Sequence, residues 1–218
     1  MKDPSQIAAL FGGEDSYHFA RWGRPIVPVI FGVDDATLGV LKAGLSAVAS
    51  LAGVTISDID SELGANLMVF FCREWAELAE VSDLDGLVPD FAALMGRLKA
   101  GDAQQYRYFR FDEDGAIKAA FVFLRLDGDL AAQPVEDMAL DQAVKVLLLW
   151  GKNAFTSRSS LARLPDGSGV LRPDFATLIA VSYDPILPPA SQDSAHAFRL
   201  FGRMARAQAR LDEGAPNG

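Results

Sequence analysis

The sequence has one cysteine, two histidines, and 20 basic residues against 29 acidic ones. Each shortage closes off a class of function. A single thiol, Cys72, excludes an internal disulfide and cannot build a cysteine zinc site. Set beside Val69, Phe70 and Phe71, it reads as a small buried hydrophobe rather than a reactive group. The net charge of −9 and pI near 4.7 oppose general nucleic-acid binding, which wants a basic field. The longest apolar runs, around 26–33 and 146–150, fall far short of the roughly 20 residues a membrane span needs. The opening MKDPSQIAALFGG has too brief an apolar patch for a secretory signal. The chain as written therefore reads as soluble, and either cytoplasmic or a mature export product.

What is present is core. Half of the 218 residues are hydrophobic, enough for a substantial interior, and no Gly/Ser/Pro tract divides them. One domain over 1–218 is expected, with 1–19 and 212–218 peripheral. Pro25 to Gly32 reads as a strand that Pro28 demotes to an edge or a bulge. Asp34 and Asp35 cap a helix over 36–52, with Leu38, Leu41, Leu45 and Val48 on one face and Gly53 after it. Asp58 to Glu62 is a solvated acidic turn whose spacing matches no calcium loop. Asn66 to Cys72 shows little alternation, so it is a strand buried on both faces. Short helices follow at 74–80 and 87–100.

Between Gln104 and Arg125, Tyr106, Tyr108 and Arg110 alternate with Arg107, Phe109 and Phe111. A turn at Asp112–Gly115 then marks an antiparallel hairpin, closed by Asp127-Gly128-Asp129. Pro134 starts a helix that is apolar on almost every side and runs to Trp150, stopping at Gly151. Such a helix lies inside a domain. The stretch 152–171 reads as a polar loop with a turn at 165–169. Pro173 and Asp174 open a helix that Asp184-Pro185 ends, and a last helix covers 192–211. The fold class is α+β, a small mixed or antiparallel sheet with packed helices.

The order of these elements, with Arg21-Trp22 and Pro25 before a strand, Ala65-Asn66 opening another, and Tyr183-Asp184-Pro185, resembles a family of bacterial domains of unknown function. That family is laid out like minimal zincin metallopeptidases, and the likeness covers roughly 20–205. The resemblance implies a zincin-like fold. It does not carry zinc chemistry over. In the zincin helix two imidazoles one turn apart grip zinc while a glutamate activates water. Counting back from Gly151, those ligand positions hold Val144 and Leu148, and Lys145 stands where the base would be. Downstream, Pro189-Ala190 replaces a Gly-Met turn, and the third ligand is absent. No metal and no other cofactor is expected.

Few residues remain to do chemistry. Lys145 reads either as a charge at the helix's exposed edge or as part of a vestigial cleft. In the second case Asn153, Arg158 and Ser160 join it to bind a carboxylate or phosphate. His18 and His196 lie far from Ser159 and Ser160, and no nucleophile elbow surrounds those serines, so a Ser-His-Asp site is not expected. His196, beside Ala195 and Ala197, reads as structural; His18 is open between a packed ring and one side of a ligand site. Arg199, Arg203, Arg206 and Arg210 recur along one stripe of the last helix. The stripe is either a solvated face, pairing with the chain's own acidic turn, or a docking strip for an acidic protein or anionic polymer. The leading expectation is a non-enzymatic binding or assembly module on a degenerate peptidase-like scaffold. Two alternatives stand beside it: a metal-independent hydrolase around Lys145, Arg158 and Ser160, and a small-ligand sensor using the cleft between hairpin and central helix.

Overall fold

The computed structural model describes residues 1–13, 16–57, 64–81 and 83–214. The acidic turn read at 58–62 and its pairing with the arginine stripe lie outside the described residues. The two most apolar strands sit where their sequences require. β3 (Leu67–Cys72) and β5 (Ile117–Arg125) are the middle strands of a four-stranded sheet, with β2 (Pro28–Phe31) and β4 (Gln105–Phe111) at its edges. β2, β3 and β5 run parallel, and β4 returns antiparallel on β5. Leu67, Val69, Phe71, Ala120, Val122 and Leu124 supply one core; Phe70, Cys72, Phe121 and Phe123 supply a second on the other side. Both middle strands are thus covered on both faces, as their unbroken hydrophobicity demands. Pro28, with no N–H to give a ladder, opens an edge strand.

The first core is covered by α2 (Asp35–Leu51) and α6 (Val135–Leu147). α7 (Pro173–Ser182) packs on α2 and on α8 (Ala195–Gly214), and α8 packs also on α1 (Pro4–Leu10). The second core lies under a 3-10 turn at Trp75–Glu80, α3 (Leu84–Leu87) and α4 (Phe91–Ala100). The fold is α+β with small mixed sheets and packed helices. Asp34 caps α2 by accepting the Thr37 N–H at 2.7 Å. Gly44 lets α2 approach α6: a Cβ there would meet the Ala139 Cβ at 2.7 Å. No described helix is long and apolar enough to cross a membrane.

Several elements differ from the sequence reading. The helix read over 87–100 begins only at Phe91, and Leu87 closes the separate α3. Pro89 holds Val88 extended and Asp90 takes φ +52°, so the chain breaks before α4. Asp127-Gly128, read as a closing turn, opens α5 (Gly128–Ala132). The polar loop contains a small hairpin, β6 (Leu161–Arg163) with β7 (Gly169–Leu171). It is fastened to α6 by the buried Asp137, which pairs with Arg163 and accepts the Gly169 N–H at 3.0 Å. The first nineteen residues, expected at the periphery, enter the main core: Ile7, Phe11 and Phe19 have no exposed surface. Phe11 stacks on Trp150, ring centroids 5.3 Å apart. β1 (Phe19–Ala20) pairs with β8 (Ala190–Ser191).

The central helix ends at Leu147, three residues before the expected stop. Leu148 instead bridges to Arg21, and the Leu149 N–H donates to the Ala20 carbonyl at 2.9 Å. A helix end leaves carbonyls without intrahelical partners, and a buried end must find others. Three aromatic side chains provide them. The Trp150 indole donates to Val144 at 2.9 Å, the Trp22 indole to Val146 at 2.8 Å, and the Tyr183 hydroxyl to Leu147 at 2.6 Å. Arg21 lies over the Tyr183 ring at 5.4 Å. The short motifs Arg21-Trp22 and Tyr183-Asp184 thus meet at one place, where they terminate the buried helix.

Candidate ligand site

Lys145 stands in the last turn of α6, with its side chain only 15% exposed. It is not a charge on an exposed helix edge. Its ammonium pairs with Asp141 at 2.6 Å, one helical turn earlier, and donates to Gln105 Oε1 on β4 at 3.3 Å. Burial lowers its pKa, and Asp141 pushes it back up. Gln105 Oε1 also accepts from Arg107 Nη2 at 3.0 Å. The same Nη2 donates to Gln142, whose amide donates in turn to Asp141 at 3.2 Å. Gln105, Arg107, Gln142, Asp141 and Lys145 therefore close a ring of hydrogen bonds between the hairpin and the central helix.

Arg107 is the unusual member. It makes no ion pair among the described residues, its Nε is shut off from solvent without an acceptor, and its Nη1 has no hydrogen-bond partner among them. Burial pulls its pKa down to about 10, with Asp141 opposing. Asp141 is already committed to Lys145, so the ring holds two cations and one carboxylate. On a chain of net charge −9 this is a local positive surplus.

An open cavity of about 490 Å³ adjoins the ring. Arg107, Lys145 and the exposed Lys152 supply its charge, and Phe109, Leu149, Trp150 and Phe155 its apolar walls. The Trp150 and Phe155 rings meet edge to face at 5.2 Å, and the Lys145 ammonium lies 5.6 Å from the Phe155 centroid. The early end of α6 makes this wall: the chain from Leu149 onward leaves the helix axis and lines the opening.

The four residues expected to share a cleft with Lys145 as its centre are divided. Lys145 lines this cavity. Ser160 is fully buried, and its hydroxyl reaches Asp141 Oδ1 at only 3.5 Å. Asn153 and Arg158 line another cavity, beside α1. There Arg158 is held by Asp174 at 2.7 and 3.2 Å, and the Met1 ammonium shares that carboxylate at 3.0 Å. On α8, Arg203 is turned inward to Asp184 at 2.6 Å, while Arg199, Arg206 and Arg210 are exposed and make no ion pair among the described residues.

His196 is buried on the inner face of α8, its Nδ1 2.8 Å from the Tyr17 hydroxyl and its Nε2 without a partner. Burial, with Arg199 and Arg203 adding to it, lowers its pKa to about 4, so it is a neutral core ring. His18 is exposed and stacks on Phe111, centroids 6.0 Å apart. Among the described residues no three His, Cys, Asp or Glu side chains group as a metal site. Comparison of the chain with family models, curated proteins and solved structures returned no significant match.

Proposed function

We propose that this chain is a non-enzymatic binding module, on a zincin-like scaffold whose ligand positions are apolar, that holds an anion in the cleft between hairpin and central helix. One observation carries the reading: Arg107, a guanidinium with no carboxylate of its own, lines an open cavity together with Lys145. A half-buried guanidinium whose Nε is shut off from solvent, with no counter-ion of its own, is costly, and a bound anion offsets part of that cost. Cavities of roughly 300–1,000 Å³ suit small ligands. Binding is favoured over hydrolysis because Ser160 is sealed from the cavity and Lys145 is held as an ion pair, so neither serves as nucleophile or free base.

Ligand-observed NMR against a mixed set of anionic, cationic and neutral fragments tests the proposal. Anionic members are expected to bind, and to stop binding in Arg107→Gln while that variant stays folded. If that variant does not fold, Lys152→Gln at the exposed rim should weaken the same members. Cations and neutral fragments binding equally well, or hits indifferent to both substitutions, would remove the cleft from consideration.

A further inference from the structure

The charge arrangement of the cleft says which anion it takes. This step rests on the cleft being the binding site. Arg107 and Lys145 set against Asp141 leave one uncompensated positive charge inside; Lys152 is exposed at the rim, where water and salt screen it. One buried surplus charge matches a monoanion. A phosphate dianion would demand more, and phosphate sites draw on helix N-termini or nests of backbone N–H groups. Among the described residues no helix N-terminus lines this cavity. The helix that does reach it, α6, arrives by its C-terminal turn, whose partial negative charge opposes a second ligand charge.

The donors are set for a carboxylate. Arg107 Nη2 and Lys145 Nζ both reach the single oxygen Gln105 Oε1, at 3.0 and 3.3 Å, so the two cations stand around one point. Nη1 of Arg107 has no partner among the described residues, and an ammonium with three N–H groups has one left after Asp141 and Gln105. Those two donors can each take one oxygen of a carboxylate. Beyond them the wall is aromatic, from Phe109, Trp150 and Phe155. From this geometry we infer that the cleft binds a small organic monocarboxylate with an apolar, flat body, its carboxylate on Arg107 and Lys145 and its body against the aromatic wall.

The same chemistry is offered by a free aryl acid and by the C-terminal aromatic residue of a peptide. Phe109, Leu149 and Phe155 offer a peptide's amide groups no side-chain partner, and the Trp150 indole is committed to Val144, which favours the free acid. Calorimetric titration of the full chain with phenylacetate, phenylacetamide, phenyl phosphate and N-acetylphenylalanine separates the cases. Phenylacetate is expected to bind saturably, with phenylacetamide at least tenfold weaker and phenyl phosphate no tighter than the acid. Arg107→Gln should cost at least tenfold in a variant that still unfolds cooperatively. Should it fail to fold, Phe109→Leu, which keeps an apolar strand position, should weaken phenylacetate several-fold.

N-acetylphenylalanine is expected to bind more weakly than phenylacetate. Tighter binding would keep the carboxylate chemistry and move its source to a peptide end. Phenyl phosphate binding tenfold tighter than phenylacetate, and through Arg107, would overturn the carboxylate assignment while leaving the anion cleft in place. Equal affinity for acid and amide would overturn it as well. A broader fragment set in which no ligand depends on Arg107 would remove the cleft itself.

Discussion

Replacing Tyr183 by phenylalanine removes one oxygen atom and tests how the buried helix is closed. In the native chain that hydroxyl donates to the Leu147 carbonyl at 2.6 Å and accepts the Trp22 N–H at 3.4 Å. Leu147 has no exposed surface, so water cannot replace the lost donor without entering the core. An unsatisfied buried polar group costs about 1–3 kcal/mol. For a chain of this size about 1 kcal/mol moves the melting temperature by about 2–4 °C. The expected loss is therefore about 2–12 °C, with the urea midpoint falling and its slope unchanged. Tyr108 is the control. It is half-buried in the second core, and its hydroxyl has no hydrogen-bond partner among the described residues, so Tyr108→Phe should stay within about 0.5 kcal/mol. Equal melting of Tyr183→Phe and the parent would mean that the aromatic closure of α6 contributes nothing.

Other outcomes follow from the same packing. Leu148 has no exposed surface, and Leu148→Asp should prevent soluble expression by placing an unpaired charge in the core; normally melting soluble protein would contradict its burial. Arg203→Glu should lower the melting temperature, because it sets two carboxylates together at Asp184, whereas Arg206→Glu should leave it within about 2 °C; equal effects would deny the inward role of Arg203. The His196 imidazole has a folded pKa near 4 against about 6.5 unfolded, so the unfolded chain binds more protons between those values. Stability from this group is complete above about pH 6.5 and is lost as pH falls toward 4, at no more than about 1.4 kcal/mol per pH unit. Urea unfolding at pH 7, 6 and 5 reads this slope, and His196→Gln should flatten it between pH 6.5 and 5; a slope unaltered by that substitution would assign it elsewhere.

Much of the architecture is written locally. The unbroken run from Leu67 to Cys72 demanded cover on both faces, the alternation from Tyr106 to Phe111 marked a hairpin, and Asp34 announced α2. The end of α6 was not local. Leu148, Leu149 and Trp150 would continue a helix by propensity, and tertiary contacts override it, since Trp22 and Tyr183 take the terminal carbonyls from far along the chain. The break at Pro89 was visible and was read through. The N-terminal segment looked peripheral because its apolar patch is short; only the fold shows Ile7 and Phe11 filling a hole beside Trp150.

The candidate site was half legible. Lys145 stood out as a lone charge late in an apolar helix, and the space between hairpin and helix was named as a cleft. Arg107 was missed, yet its signal was present: it is in phase with Phe109 and Phe111, on the face of β4 that meets α6. A charge in step with half-buried aromatics needs a partner, and none of the described carboxylates pairs with it. Gln105 and Gln142 carried no such mark. Their amides matter only because the fold sets them between cations and Asp141. Asn153 and Arg158 are close to Lys145 in sequence, but the turn after Gly151 carries them to the cavity beside α1.

The central claim is that a carboxylate enters the cleft and satisfies Arg107. A crystal structure of the chain with phenylacetate tests it most directly. One carboxylate oxygen is expected within hydrogen-bond distance of Arg107 Nη1, the other near Lys145 Nζ, and the phenyl ring against the wall formed by Phe109, Trp150 and Phe155. Phenylacetate bound elsewhere, or an Arg107 guanidinium that turns away to pair with a carboxylate of its own chain, would contradict it.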